Sequence, residues 1–514
     1  MIDDYRIETR DFGPIAEASI HVRPLTVLIG PSNAGKSYFA TLLYALHRSL
    51  SGEIRAFPTD SGARAAQVEP VANSLRGWFA EARVSERLPD LPRDVAARIQ
   101  ALLESPTEFC ASITDELRRC FGTVDIEKLT RRGSANASAD IRLIVQSKGG
   151  IPQARYQFRL QGGKTQCASV EIGQFEELLQ DLESRLQEEV FFIEGFYAAN
   201  EEILRRAGRE MEIDSFAKSH VRDKPSDMGR LADMLGSLTN TLFNRCLNPL
   251  RRNAYYLPAD RTGVMHSYPV VTSALAHSFT TAGARRAPGP VLSGVMADFF
   301  TDLARLGRTD ARNHEAPPAK LADRLEEKLL GGRIRVDDGQ VGNPAIAYRP
   351  DGWPDDLSLI RSSSMVTELA PIVLYLRHIV ETGDILIIEE PEAHLHPAMQ
   401  ASFARQLARL VSSGVRVVMT THSEWILEQI GNLVRASELP QKRRQGVVVS
   451  DVVLEPESVG AWLFKPKSSQ KGFRVEEIVL DSETGMYPTD YDAVSDALYN
   501  ESAAIFNRLP DAHE

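Results

Sequence analysis

The chain has 514 residues, 43% of them hydrophobic and 25% charged, with a formal net charge of −11. That length exceeds one ordinary hydrophobic core and predicts two or more structural units. The acidic balance excludes nucleic-acid binding through overall charge, though not through a local basic face. Cys110, Cys120, Cys167 and Cys246 are widely spread and form no C-x-x-C pair. This argues against a zinc site or a disulfide framework and fits a reducing compartment. The start of the chain (Met1, Ile2, Asp3, Asp4, Tyr5) is charged and unlike a signal peptide. No uninterrupted apolar run reaches the ~18 residues of a membrane span. A cytoplasmic protein without a membrane partner is expected.

Residues 1–50 read as short strands followed by a loop and a helix. Leu25 to Ile29 is an apolar run of buried-strand type, and Tyr38 to Leu50 reads as a helix. Between them stands Gly30-Pro31-Ser32-Asn33-Ala34-Gly35-Lys36-Ser37. This is the G-x-x-x-x-G-K-[ST] phosphate-binding loop in the strand–loop–helix context that it requires. Successive backbone N–H groups of such a loop wrap a polyphosphate, and the helix N-terminus adds positive potential. Lys36 can reach the β- and γ-phosphates, and the Ser37 hydroxyl can ligate Mg²⁺. Gly30 to Tyr38 are the predicted nucleotide-binding residues, with ATP and Mg²⁺ as the expected ligands.

Residues 51–250 are expected to form a largely helical insertion with a β-hairpin. Amphipathic helices are predicted at Arg76 to Val84, Val95 to Leu103 and Phe109 to Cys120. Ile141 to Ser147 and Ala154 to Leu160 alternate as hairpin strands around Gly149 and Gly150. Phe175 to Ala207 and Pro225 to Leu247 read as helices. Tyr255-Tyr256-Leu257 resumes a strand and enters Pro258-Ala259-Asp260-Arg261. Residues 282–290 and 307–318 have loop composition.

Residues 251–435 hold three further motifs. Arg361-Ser362-Ser363-Ser364-Met365 enters a helix at Thr367 to Ile379. Serine hydroxyls and N–H groups at a helix N-terminus suit a terminal phosphate, although an ordinary serine cap gives the same pattern. Ile385 to Ile388 is all apolar, as a central parallel strand should be, and runs into Glu389 and Glu390. A carboxylate at that strand end can hold the metal, and the next can polarise the attacking water. Val415 to Met419 is another buried strand, ending in Thr420-Thr421-His422-Ser423 before a helix at Trp425 to Ile430. A histidine there can hydrogen-bond the γ-phosphate or the attacking water.

The ordered set GPSNAGKS, SSSMVTEL, ILIIEEPEAHLHP and TTHSEWIL resembles the ABC-type ATPases of the SMC and RecF branch. Within that branch EEPEAHLHP and YYLPADR resemble the compact soluble AAA ATPases grouped with the overcoming-lysogenization-defect (OLD) proteins. The resemblance covers residues 1–50 and about 253–435. It implies an α/β P-loop NTPase fold with an ABC-ATPase-like head. It also implies Glu389 as Walker B metal residue, Glu390 as catalytic base and His422 as the H-loop histidine. Ser363 would act across a dimer on the partner's nucleotide. His394 and His396 fall in a dimer-contact region. Two departures are Glu389 where Asp is usual and Met365 where the signature motif has glycine. Arg261 stays open between a γ-phosphate or coupling residue and a surface charge.

The resemblance further implies a homodimer or higher homo-oligomer. The ATPase would be a sensor or motor subunit paired with a separate effector, possibly a nuclease, in bacterial anti-phage defence. The alternatives are a repair or recombination ATPase acting directly on DNA and an OLD-type ATP-dependent nuclease. The last would need a Toprim domain. Val447 to Leu454 reads as a strand followed by Glu455, and Asp490-Tyr491-Asp492 is an Asp-x-Asp placed in a turn before a helix. Residues 436–514 are instead expected to finish the ATPase core with β-strands over Val447 to Leu480 and a closing helix over Tyr491 to Leu509.

Overall fold

A computed structural model describes residues 4–50, 61–82, 89–131, 138–146, 154–173, 175–180, 227–268, 292–306, 315–337, 345–444, 452–467, 472–479, 485–486 and 489–507. Two compact units emerge: 1–6 with 46–115 and 140–251, and 7–45 with 116–139 and 252–514. Residues 116–139, inside the stretch expected to be an insertion, cluster with the second unit. Among the described residues no helix is long and apolar enough to cross a membrane.

The strands in chain order begin with β1 (Asp4–Phe12), β2 (Ile15–Val22) and β3 (Leu25–Ile29). β4 (Ala139–Gln146), β5 (Ala154–Gln161) and β6 (Lys164–Ile172) follow. Then come β7 (Ala254–Leu257), β8 (Gly332–Asp337), β9 (Ala345–Pro350) and β10 (Leu357–Ser358). The last are β11 (Ile385–Glu389), β12 (Arg416–Thr421), β13 (Val459–Pro466) and β14 (Phe473–Ile478).

In the first unit β6, β5 and β4 are neighbours in that order. β5 alternates buried and outward residues, as a sheet with one packed face requires. Its inward Tyr156 and Phe158 meet Phe109 of the helix Thr107–Phe121 edge-on, and Phe243 of the helix Asp227–Cys246 packs edge-on against Phe109 and Tyr156. Helices also run over Ala72–Ala82 and Arg93–Leu103, close to the sequence expectation. β6 is an addition to the predicted hairpin. Its pattern is mostly outward-facing and polar, so it lacks the alternation that marks a half-buried strand. Of the helix expected over Phe175 to Ala207, residues 175–180 are helical and the remainder lies outside the described residues, as does the expected loop 282–290.

In the second unit the sheet order is β1-β2-β14-β13-β3-β12-β11-β7. β3, β11 and β12 are buried at every position, and they pair in parallel with one another through β12. Continuous apolar strands of this kind belong in the middle of a sheet covered on both faces. Covering helices include Ser364–His378, Pro397–Ser412 and Glu424–Glu438. The last runs past the Ile430 expected from the sequence. The segment 307–318 is not wholly loop, because a helix begins at Pro317 with proline in its first turn. β10, β9 and β8 form a separate small sheet in that order.

The segment after residue 436 contributes to this core. β13 pairs in parallel with β3, Val459 opposite Leu25, and antiparallel with β14. The strand expected over Val447 to Leu454 is not formed at 452–454, and its earlier residues lie outside the described set. Glu455 is exposed in the turn before β13. Asp490 and Asp492 lie in the first turn of the helix Thr489–Phe506, not in a turn preceding it.

A buried ion pair fixes the far end of the helix Ser364–His378. Arg377 Nη1 and Nη2 reach the two oxygens of Glu326 at 3.0 and 2.6 Å, and the Ile334 N–H donates to Glu326 Oε1 at 2.6 Å. Glu326 is fully buried, so removing this guanidinium takes away its two short charge-assisted bonds and leaves only the exposed Arg333, at 3.6 Å, as a cation. Arg377→Met should therefore cost about 3–5 kcal/mol. Chemical denaturation of this unit is the measurement, and a midpoint equal to the parent's contradicts the assignment.

Candidate nucleotide site

The parallel register brings the motifs to one edge of the sheet. Ile29, the last residue of β3, stands opposite Thr421, the last residue of β12. Thr420 stands opposite Glu389, the last residue of β11. Gly30, His422 and Glu390 therefore leave three adjacent strands within one residue of the same level, at the carboxyl end where α/β sheets bind ligands.

The loop after β3 has the backbone of an anion cradle. Gly30, Asn33 and Gly35 have φ of 139°, 61° and 105°. These left-handed and glycine-only conformations turn successive N–H groups to one side. A Cβ at Gly30 would sit 2.7 Å from the Phe464 carbonyl oxygen, and one at Gly35 2.7 Å from Ile15 Cγ1. Pro31, Ser32, Asn33 and Ser37 are exposed, while Ala34 and Lys36 are buried. Ser37 opens the helix Lys36–Leu50. The Tyr38 ring is engaged elsewhere, packed against Phe12 and Phe121, which leaves its backbone in the helix's first turn.

Lys36 joins the loop to the other two motifs. Its Nζ donates to the carbonyls of Gly30 and Pro31 at 2.8 and 2.9 Å and lies 3.1 Å from His422 Nε2. His422 Nε2 lies 3.5 Å from Glu390 Oε1. Burial lowers the Lys36 ammonium pKa, and Glu390, Glu392 and Glu389 oppose that shift. Three carboxylates around one ammonium leave the pocket electronegative.

Glu389 Oε2 accepts the Ala259 N–H at 3.2 Å. The Tyr256 phenol, whose hydroxyl lies 3.4 Å from Thr41 Oγ1, is pushed well up by burial first and by the charge of Glu389 second. Glu390 has φ 41°, a left-handed conformation for a non-glycine residue that costs roughly 1–3 kcal/mol and clusters at functional sites. Its N–H donates to the Thr420 carbonyl at 3.0 Å.

Arg261 is the residue that sequence reasoning left open, and its burial and internal partners exclude a surface charge and a direct phosphate contact. Its side chain is 0% exposed, which excludes a surface charge. Its donors are spent inside the protein. Nε reaches the Glu368 carbonyl, Nη1 the carbonyls of Pro258 and Glu389, and Nη2 the carbonyl of Glu390 and the carboxylate of Glu368. Four of its five N–H groups bond backbone carbonyls and Nη2 is also ion-paired with the Glu368 carboxylate, so the guanidinium is committed inside the protein and not aimed at a phosphate. Arg261 thus stabilises the turn that holds Glu390 in its strained conformation. Burial pushes the Glu368 carboxyl up, and Arg261 and the Thr262 hydroxyl hold it down.

Ser363 is exposed and caps the helix Ser364–His378, accepting the Val366 N–H at 3.3 Å. Met365 is half-buried and packs against the core. His396 caps the helix Pro397–Ser412 through Nδ1, and His394 is exposed at φ 64°. Glu368 and Glu392 lie within the SSSMVTEL and EEPEAHLHP motifs, but their spacing assigned neither a role. Both act through partners distant along the chain.

The donor set suits a Mg–nucleotide. Ser37 and Glu389 supply hard oxygen ligands, and Mg²⁺ ordinarily takes one or two protein ligands together with phosphates and water. No cluster of three or more His, Cys, Asp or Glu that could hold a metal is found among the described residues.

The family described as "AAA ATPase domain" matches residues 342–427, the segment that carries Ser363, Glu389, Glu390 and His422. Among curated proteins nothing matches. Solved structures that match include the SmcHead bound to the C-winged helix domain of ScpA, at 11% identity and TM-score 0.36, covering 93% of this chain and 97% of that one. The Smc head domain with an extended coiled coil bound to the C-terminal domain of ScpA, from Pyrococcus furiosus, matches at 11% identity and TM-score 0.35, covering 97% and 98%. The SMC head domain from Thermotoga maritima matches at 9% and 0.33, covering 93% and 100%. The chain thus combines an α/β fold and a phosphate-binding loop with a segment, residues 342–427, that is similar to AAA ATPase domains.

Replacing Arg261 leaves the buried Glu368 carboxylate without its cation and removes a donor from four backbone carbonyls. Arg261→Met should destabilise this unit by about 3–5 kcal/mol. Arg261→Lys should recover little of that, because an ammonium has three donors and no planar fork. Thermal unfolding of the two variants checks this, and full recovery by lysine contradicts the five-donor arrangement.

Proposed function

We propose that the chain binds Mg-ATP on the Gly30–Ser37 loop and hydrolyses it as the ATPase subunit of a homodimer that drives or gates a separate effector protein. The observation that supports hydrolysis most directly is the contact chain from Lys36 through His422 to Glu390. An ammonium, an imidazole and a carboxylate in mutual contact would suit a terminal phosphate, its attacking water and its departing charge.

Lys36 would exchange its carbonyl partners for the β- and γ-phosphates. The backbone turn at Asn33 and Gly35 would hold the phosphate oxygens. Glu390, the more exposed carboxylate, would accept the proton of the attacking water. His422 would hold that water or the γ-phosphate in line. Mg²⁺, held by Ser37 and Glu389, would neutralise charge on the phosphate oxygens. The carboxylate excess around Lys36 favours a site that takes its anionic substrate together with a divalent cation.

The homodimer rests on Ser363. Exposed at a helix N-terminus, it offers a hydroxyl and N–H groups to an anion from outside its own subunit. A separate effector is supported by where the remaining carboxylates lie. Metal-dependent phosphodiester cleavage needs several carboxylates converging on one or two ions. Glu455 lies in an exposed turn, while Asp490 and Asp492 lie in a helix. The likeness of EEPEAHLHP and YYLPADR to the OLD-like ATPases supports a role in anti-phage defence.

Lys36→Ala should abolish most ATP binding and turnover, whereas Glu390→Gln should bind ATP and stall before hydrolysis. Nucleotide binding and phosphate release measured side by side check both, and normal turnover by Glu390→Gln overturns the assignment of the base. The dimer is tested by mixing Ser363→Arg with Lys36→Ala protein. Each alone should be inactive, and the mixture should regain part of the activity through heterodimers with one complete site. Parent-level turnover by Ser363→Arg alone contradicts a shared site.

A further inference from the structure

Glu392 lies two residues beyond the proposed base, in the loop that leaves β11. Its Oε1 accepts two hydrogen bonds from the far side of the site: the Thr421 hydroxyl at 2.8 Å and the His422 backbone N–H at 2.5 Å. These are the last residue of β12 and the first beyond it. Glu392 therefore ties the loop after β11 to the loop after β12 by a direct side-chain link. A second link runs the other way, because the Glu390 N–H donates to the Thr420 carbonyl and hydroxyl at 3.0 and 3.2 Å.

Resting on the ATPase reading, we infer that Glu392 is a positioning residue which fixes the His422 imidazole over the terminal phosphate and couples its placement to that of Glu390. His422 stands at the point where β12 ends, before the helix Glu424–Glu438 begins. Ser423 caps that helix by accepting the Ile426 N–H at 3.0 Å, which fixes the chain on one side of the histidine. Glu392 holds it on the other side, at its own N–H. A hydrogen bond to a carboxylate is about twice as strong as one to a neutral acceptor. The resulting orientation brings His422 Nε2 within reach of both Lys36 and Glu390. With this anchor lost, the imidazole is free to swing away, and displacement of a catalytic group by about 1 Å can cost on the order of 100-fold in rate.

The test is a double-mutant cycle in the full chain, with single-turnover ATP hydrolysis and ATP affinity measured for the parent, Glu392→Ala, His422→Ala and the double variant. Glu392→Ala should slow single-turnover hydrolysis at saturating ATP on the order of 100-fold, a loss that saturation with nucleotide does not restore. In the His422→Ala background the same change should cost no more than about twofold, because the residue it positions is already gone. Glu392→Gln, which keeps an acceptor oxygen, should recover most of the rate. If Glu392→Ala loses the parent's cooperative unfolding transition, Glu392→Asp takes its place, since the shorter side chain withdraws the oxygen and retains the charge. Losses that multiply in the double variant, or a Glu392→Gln rate no better than alanine's, overturn the inference and leave the ATPase reading standing. A parent protein with no ATP turnover, unaffected by Lys36→Ala, rejects the ATPase reading and this inference with it.

Discussion

The parallel register of β3, β12 and β11 is the constraint on which everything else in the site depends. Ile29 ends β3 opposite Thr421 and Glu389 ends β11 opposite Thr420, so residues nearly 400 positions apart meet within hydrogen-bond distance. A slip of one residue in either pairing would turn every side chain of a strand to the opposite face. All three strands are buried throughout, and such a slip would also disturb helix packing on both sides. The site is thus as precise as the packing of the apolar core beneath it.

Precision at the strand ends requires a second device, since Glu390 and His422 lie just beyond the last residues of β11 and β12. The buried pair of Arg261 and Glu368 supplies it below the site. One guanidinium gathers the carbonyls of Pro258, Glu389 and Glu390 and links them to the helix that Ser363 caps. Two ions in the interior carry a desolvation cost that a hydrophobic pair would not. The return is geometric, because a planar fork can hold several acceptors in fixed directions at once. Movement of the helix Ser364–His378 and movement of the Glu390 turn are mechanically connected through this pair.

The central strands and the phosphate loop were readable in the sequence because their physics is local. A fully buried parallel strand is a continuous apolar run, and an anion cradle needs glycine where φ is positive. The roles of Arg261 and Glu392 were not readable. Burial of Arg261 depends on Glu368, 107 residues further along, and the contact between Glu392 and His422 depends on how two strands align. β6 escaped notice for a different reason: its polar, outward-facing pattern resembles loop composition. The Asp-x-Asp at Asp490 and Asp492 shows the opposite hazard, a motif by spelling whose residues lie in a helix.

The central claim is that the phosphate loop, the end of β11 and the end of β12 form one nucleotide site. The most direct measurement is an experimental structure of the Glu390→Gln protein with Mg-ATP. The account predicts the terminal phosphate between Lys36 and His422, with the metal on Ser37 and Glu389. Nucleotide bound away from the Gly30–Ser37 loop, or a terminal phosphate out of reach of His422, would contradict it.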